Sequence, residues 1–274
     1  MRWLGLALVL ACAPAVAPEP TPSPPPEPAV VAAAGPGDMS EGSVKPVPED
    51  ISSPAPAPGD GEALARETAS VKPGINAPYK TAGAARRWAR RFERDGREVH
   101  DRRHEILRAL GLTRGMAIAD VGAGTGLFTL AFAEAVGPEG TVYAVDVVPG
   151  FLDHVRARVE KAGFAGRVRL VQASDRSSEL PPGSVDAIFM SDAYHHLEYP
   201  QHTLASLRAA LRPGGVLWLI DFRREADSDE WLKQHVRAGQ AEVLRELALA
   251  GFVPLEELSL LRENYFIKLK VRGS

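Results

Sequence analysis

The chain of 274 residues has one cysteine, Cys12, and none after it. Whatever folds downstream therefore holds no disulfide, no thiolate metal site and no cysteine nucleophile. Its leading apolar run, Trp3 to Leu10, is too short to cross a bilayer as a helix, which takes about 20 residues. Excess positive charge is missing as well: 32 Lys and Arg against 35 Asp and Glu give a net charge of -3, with no general pull toward nucleic acid. No internal repeat is visible, which sets aside solenoids and propellers. Proline becomes scarce after residue 60, because fourteen of the 23 prolines stand before it among Ala, Glu, Ser and Gly. That early segment lacks the apolar residues needed to offset chain entropy.

Four segments follow. Residues 1–12 have the form of a short export signal, one positive charge at Arg2 and then the apolar run. Residues 13–70 read as a Pro-rich linker, disordered or semi-extended. Residues 71–114 read as an N-terminal helical lid segment, and residues 115–274 as one α/β domain. The roughly 200 residues beyond Val71 are enough for a sizeable core. The run Val9-Leu10-Ala11-Cys12 resembles the bacterial lipobox, in which cleavage before the cysteine exposes it for lipid attachment. That resemblance implies lipidation at Cys12, an envelope location and membrane association by lipid anchor only. A misassigned start would instead leave the protein cytoplasmic.

Within the lid segment, Pro73 to Lys80 reads as a loop and Ala84 to Leu110 as helix. Trp88, Phe92, Val99, Ile106 and Leu110 recur at helical spacings, with Gly96 dividing the run in two. Ten arginines against five acids between Ala84 and Arg114 offer a surface for an anionic partner, but a solvated face laced with ion pairs is the favoured reading. Strands and helices then alternate, as a parallel sheet with crossover helices requires. Strands are expected at Met116 to Val121, Thr141 to Val147, Val168 to Ala173, Val185 to Ser191 and Val216 to Phe222. Helices are expected at Leu127 to Val136, Phe151 to Ala162, His202 to Leu211 and Gln240 to Ala250. Phe252 to Leu261 and Asn264 to Val271 have too short a connection for anything but an antiparallel hairpin.

The first of these strands runs into Asp120-Val121-Gly122-Ala123-Gly124-Thr125-Gly126. Glycines at alternate positions allow a sharp strand-to-helix turn and leave no side chain between main chain and ligand. Asp146 ends the next strand, where a wound sheet presents a carboxylate to two ribose hydroxyls. A dinucleotide fingerprint is G-x-G-x-x-G, set by a pyrophosphate on the helix N-terminus. Here the pattern is G-x-G-x-G with an acid two residues before it. Asp120 would repel phosphates but suits a cationic ammonium group, directly or through water.

At these residues the chain resembles the class I S-adenosylmethionine-dependent methyltransferases, whose first motif is an acid followed by G-x-G-x-G. The fold this implies is doubly wound α/β: a mostly parallel seven-stranded sheet with an antiparallel C-terminal hairpin, Rossmann-like. The cofactor it implies is S-adenosyl-L-methionine, held by Asp120, Gly122, Gly124, Gly126 and Asp146, with Ser174 and Asp175 at the position that bonds the adenine amino group. Asp192 matches the motif facing the methionine portion and substrate. The His195-His196 pair and Arg208-Ala209-Ala210-Leu211-Arg212-Pro213-Gly214-Gly215 resemble the type 11 subgroup, which is similar to quinone-biosynthesis C-methyltransferases.

Methyl transfer is mainly a matter of geometry, and a base is needed only if the accepting atom loses a proton. His195 and Asp192 are the expected catalytic residues, orienting or deprotonating the acceptor, with Tyr194 as a possible second partner and Tyr79 in the lid. His195, His196, Glu198 and His202 invite a metal reading, but no metal is expected. His235 and Arg237 read as surface residues near the same mouth. The acceptor is expected to be a small or lipid-like molecule, with no nucleic acid; the oligomeric state is open. Two other functions stay in view: an envelope-tethered binding domain that keeps the fold without turnover, and a nicotinamide oxidoreductase, which the glycine spacing and the hairpin disfavour.

Overall fold

Alternation within each strand, as much as apolar content, builds this fold. The computed structural model describes residues 44–45, 64, 66–81 and 83–273, all of them within one unit of the chain, 33–274. Cys12, the export signal and most of the Pro-rich segment lie outside the described residues. The elements are β1 (Val44–Lys45), α1 (Ala84–Phe92), α2 (Glu98–Asp101), α3 (Arg103–Ala109), β2 (Ala117–Val121), α4 (Leu127–Ala135), β3 (Thr141–Asp146) and α5 (Pro149–Lys161). They continue with β4 (Val168–Gln172), β5 (Val185–Ser191), α6 (Pro200–Ala210), β6 (Leu211–Phe222), α7 (Glu230–His235), α8 (Gln240–Leu249), β7 (Phe252–Leu258) and β8 (Asn264–Val271).

The strand order is β1-β7-β8-β6-β5-β2-β3-β4. Strands β2 to β6 run parallel, and β8 lies antiparallel between β6 and β7. The expected seven strands, β2 to β8, and their C-terminal hairpin are both present, and β1 adds an eighth strand at the edge. Both faces are covered, so successive residues enter opposite cores. Ala119, Ile188, Leu217 and Leu219 pack toward α6 and α8 with Leu204, Leu207, Leu244 and Leu247. Ile118, Phe189, Trp218 and Ile220 pack the other way, with Ile106, Phe128, Phe132 and Val155. By the same alternation Asp120 falls on the face of Ile118, toward α4. The sheet order reverses where β2 meets β3 on one side and β5 on the other, and open α/β sheets bind ligands at that switch point.

Three expectations about boundaries are corrected. Val44–Lys45, assigned to a disordered linker, pair antiparallel with Leu258 and Glu257 at the free edge of β7, which an exposed edge invites. The domain also starts before Val71. The Glu67 carboxylate accepts the Gln201 and His202 N–H groups at 3.0 and 2.9 Å, satisfying orphan donors at the start of α6 and placing a negative charge on its positive end. Third, α7 had no place in the sequence reading; its N-cap Asp229 accepts from the Leu232 N–H at 2.7 Å. Gly96 does divide the lid helices, and Gly251, at φ 85°, ends α8 as a left-handed cap. Among the described residues no helix is long and apolar enough to cross a membrane.

Candidate active site

A cavity opens at the carboxyl ends of β2, β3 and β5, lined on one wall by Val121, Gly122, Gly124, Val145, Asp146, Val147 and Val148. Gly122, Gly124 and Gly126 all have left-handed backbones, with φ of 75°, 52° and 80°. Gly122 is sterically bound to be glycine: a Cβ there would lie 2.4 Å from Ala193 Cβ. Asp146 ties the loop to β3. Its Oδ2 accepts the Gly124 N–H at 2.9 Å and its Oδ1 accepts the Val148 N–H at 2.8 Å. Burial pushes its pKa up to about 6, against the pull of those N–H groups. Each oxygen keeps a lone pair for a further donor.

The structure does not bring Asp120, Gly126, Ser174 or Asp175 to this lining. Asp120 is buried toward α4 and accepts the Thr129 hydroxyl at 2.5 Å; burial raises its pKa to about 7. Strand alternation is the reason, since a residue facing a helix cannot also face the strand ends. The Asp120 bond to Thr129 ties the end of β2 to α4. Ser174 and Asp175 are exposed on the loop after β4, where Ser174 Oγ donates to Glu179 at 3.3 Å and Asp175 lies 3.9 Å from the Lys80 ammonium.

The opposite wall comes from distant segments: Asn76, Tyr79, Phe92, Phe151, Asp192, Ala193 and His196. Tyr79 packs against Trp88, Phe92 and Phe151 at ring separations of 4.7, 6.5 and 6.1 Å. Burial pushes its hydroxyl up to about 12, so it stays protonated at neutral pH. Glu93 latches α1 to the glycine loop, accepting the Thr125 hydroxyl at 2.6 Å and pairing with Arg158, whose guanidinium also donates to the Thr125 carbonyl at 2.7 Å. One of the ten lid arginines, Arg97, has a site contact of its own. Arg97 pairs with the Asp192 carboxylate, which also accepts the Asn264 side-chain amide at 2.6 Å. Asp192 holds a left-handed φ of 49°, rare for a non-glycine residue. Burial raises its pKa, with Arg97 acting against that.

The histidine pair divides its labour differently from the sequence reading. His195, the expected catalytic residue, is not in the cavity lining. It is 3% exposed, its Nδ1 lies 2.7 Å from Asp221 Oδ1 and its backbone N–H donates to Asp221 Oδ2 at 3.0 Å. His196 faces the cavity instead, with Nε2 3.5 Å from the Tyr79 hydroxyl and its carbonyl accepting from Asn76 at 3.1 Å. Burial, then the neighbouring His195, His235 and Lys72, hold its pKa well below the usual imidazole range. His235 packs against both rings, 4.9 Å from His195 and 5.2 Å from His196. Glu198 accepts from Ser70 at 3.0 Å and His202 lies 3.0 Å from Arg176, so the ligand set considered from sequence is dispersed. Tyr194 donates to Glu246 at 2.7 Å, away from the cavity. Asp221 was missed although it ends a strand, the same signal that marked Asp146. Asn264, 72 residues from Asp192, has no local signal.

Residues 118–215 match the family model described as a methyltransferase domain. The solved SAM-dependent methyltransferase from Aquifex aeolicus superposes with a TM-score of 0.60 and 26% identity, covering 68% of this chain and 97% of that one. The fold is the Rossmann-like methyltransferase fold. A second structure on this methyltransferase fold, the [4+2]-cyclase SpnF, aligns with a TM-score of 0.52 and 25% identity over 61% of this chain and 64% of its own. Among curated relatives, the ubiquinone/menaquinone biosynthesis C-methyltransferases of Azotobacter vinelandii and a Marinomonas species are 31% and 30% identical over 118 and 123 residues. Those matches cover 43% and 45% of this chain and 47% and 49% of the relatives. The chain thus aligns with about half the length of the curated relatives it matches.

Proposed function

We propose that this protein is an S-adenosylmethionine-dependent methyltransferase acting on a small, quinone-like or lipid-like aromatic acceptor. One observation carries the reading: a single cavity joins a glycine-and-carboxylate wall to an aromatic wall bearing an unprotonated imidazole. The cofactor fits the first wall. Gly122 and Gly124 leave the backbone bare, Asp146 has lone pairs for the ribose hydroxyls, and Val147 and Val148 offer an apolar surface for adenine. Bound there, S-adenosylmethionine supplies a methyl group on a cationic sulfur that departs as a neutral thioether.

The chain's own contribution is placement and proton management. Tyr79, Phe92 and Phe151 exclude water and stack against a planar acceptor. Asp192, clamped by Arg97 and Asn264, fixes the loop after β5 and places a carboxylate beside the transferring group. His196, unprotonated at neutral pH, takes the proton that a phenolic or enolic acceptor releases, and the Tyr79 hydroxyl orients the acceptor oxygen. The aromatic wall and the likeness to quinone-biosynthesis C-methyltransferases both support a ring acceptor. SpnF is a caution that this fold also hosts a cyclase.

The test is calorimetric titration with S-adenosylmethionine and S-adenosylhomocysteine, followed by a methyl-transfer screen of phenolic and hydroquinone acceptors. Micromolar binding with turnover supports the proposal; a folded protein that binds neither compound overturns it. The location is part of the same proposal, resting on the order of export signal, Cys12 and Pro-rich segment. Intact-mass measurement and detergent partitioning of the expressed protein, beside Cys12→Ser, would show or refute the lipid.

A further inference from the structure

The fold assembles three imidazoles that lie far apart in sequence. His195, His196 and His235 each offer one ring nitrogen, and these nitrogens lie within 4.8 Å of one another. Two buried ring atoms, His195 Nε2 and His196 Nδ1, have no hydrogen-bond partner. Burying an unpaired polar atom is costly, so a ligand that satisfies both removes that penalty. Asp221 contributes the third element. Its Oδ1 sits 2.7 Å from His195 Nδ1, which fixes the ring proton there and leaves the Nε2 lone pair free. A carboxylate behind an imidazole is the arrangement that orients metal-binding histidines.

We propose that His195, His196 and His235 bind one divalent transition-metal ion of the class that takes imidazole ligands, such as zinc or cobalt. Bonds of about 2.0–2.1 Å in a tetrahedral site set the nitrogens about 3.4 Å apart, so the rings must close by at most about 1.4 Å. His235, half-buried on the short α7 and stacked on Trp231 at 4.9 Å, is the ring with room to do so. The charges of Lys72 and Arg91 disfavour a proton on His235, and the Asp221 carboxylate acts against them. The Lys72 ammonium is itself engaged with the His235 carbonyl at 2.8 Å. Three protein ligands leave a fourth position, the pattern of a metal that contacts substrate or water. An ion on His196 Nδ1 would leave the ring proton on Nε2, the nitrogen that faces Tyr79 and the cavity, so that this ring would donate a hydrogen bond to an acceptor oxygen in place of acting as a base.

The test uses the full-length chain carrying Cys12→Ser, which removes its one thiol, stripped of metal by chelation and titrated with Co2+. Visible d–d absorption saturating at one equivalent is expected. His196→Gln and His235→Gln should each weaken binding at least tenfold, and Asp221→Asn by about 10–100-fold. His100→Gln, in the separate Asp95, His100 and Asp101 cluster, should leave the spectrum unchanged. Circular dichroism of the metal-free variants establishes that they fold, and Co2+ should raise the Tm of the parent but not of His235→Gln. A folded parent with no saturable band overturns the proposal, as does a band that survives both histidine substitutions. The readout involves no methyl transfer, so its failure leaves the proposed enzymatic activity standing.

Discussion

The two walls of the cavity are built in opposite ways. The proposed cofactor wall comes from Gly122 to Asp146, about two dozen consecutive residues of one β-α-β unit, and its geometry is local: two left-handed glycines and one carboxylate accepting two backbone N–H groups. The proposed acceptor wall draws on Asn76, Tyr79, Phe92, Phe151, Asp192 and His196, held by bonds that span 72 to 120 residues. A local wall leaves a motif that can be read. A wall assembled from distant segments can be changed one residue at a time, which is how one fold serves different acceptors.

The strongest way to break this contrast is His196→Gln. Turnover should fall about 10²–10⁴-fold with the Kd for S-adenosylhomocysteine changed less than threefold; equal losses in both would mean that the walls are not separable. Gly122→Ala should destabilise the fold by about 3 kcal/mol and abolish cofactor binding, because its Cβ would strike Ala193 at 2.4 Å and its backbone is left-handed. Gly124→Ala, with its nearest neighbour 3.8 Å away, should cost only about 1 kcal/mol. Urea unfolding of the two variants side by side separates steric clash from backbone strain.

Asp146→Ala should lower S-adenosylhomocysteine affinity about a hundredfold, the worth of two hydrogen bonds to a charged acceptor. In the unsubstituted protein that affinity should fall as pH drops through about 6, as the carboxylate takes up its proton. Stability should move the other way. Asp146 and Asp120 titrate near 6 and 7 when folded, both above the ordinary 3.8, so the folded state binds more protons across that window. Stability therefore declines as pH rises from about 4 to about 7, and Asp120→Asn should flatten the decline. The smallest effect is expected at Glu67→Ala, about 1 kcal/mol from the lost cap on α6, with cofactor affinity unmoved. A loss of affinity there would show that the N-terminal segment reaches the site.

Much of the architecture was legible from the chain alone. The alternating strands and helices, the hairpin of Phe252 to Leu261 with Asn264 to Val271, the break at Gly96 and the cap at Gly251 depend on periodicity and on glycine's access to positive φ, both local properties. Gly122, Gly124 and Asp146 stand out for the same reason, and they line one wall of the cavity. What the fold alone decided was orientation and company. Asp120 belongs to the motif yet faces Thr129, because a strand covered on both sides must send alternate residues to opposite cores. His195 and His196 are neighbours in sequence, but Asp221 takes one and the cavity the other. His235, which read as a surface residue, completes a cluster that only the packing of α7 against the loop after β5 could bring together.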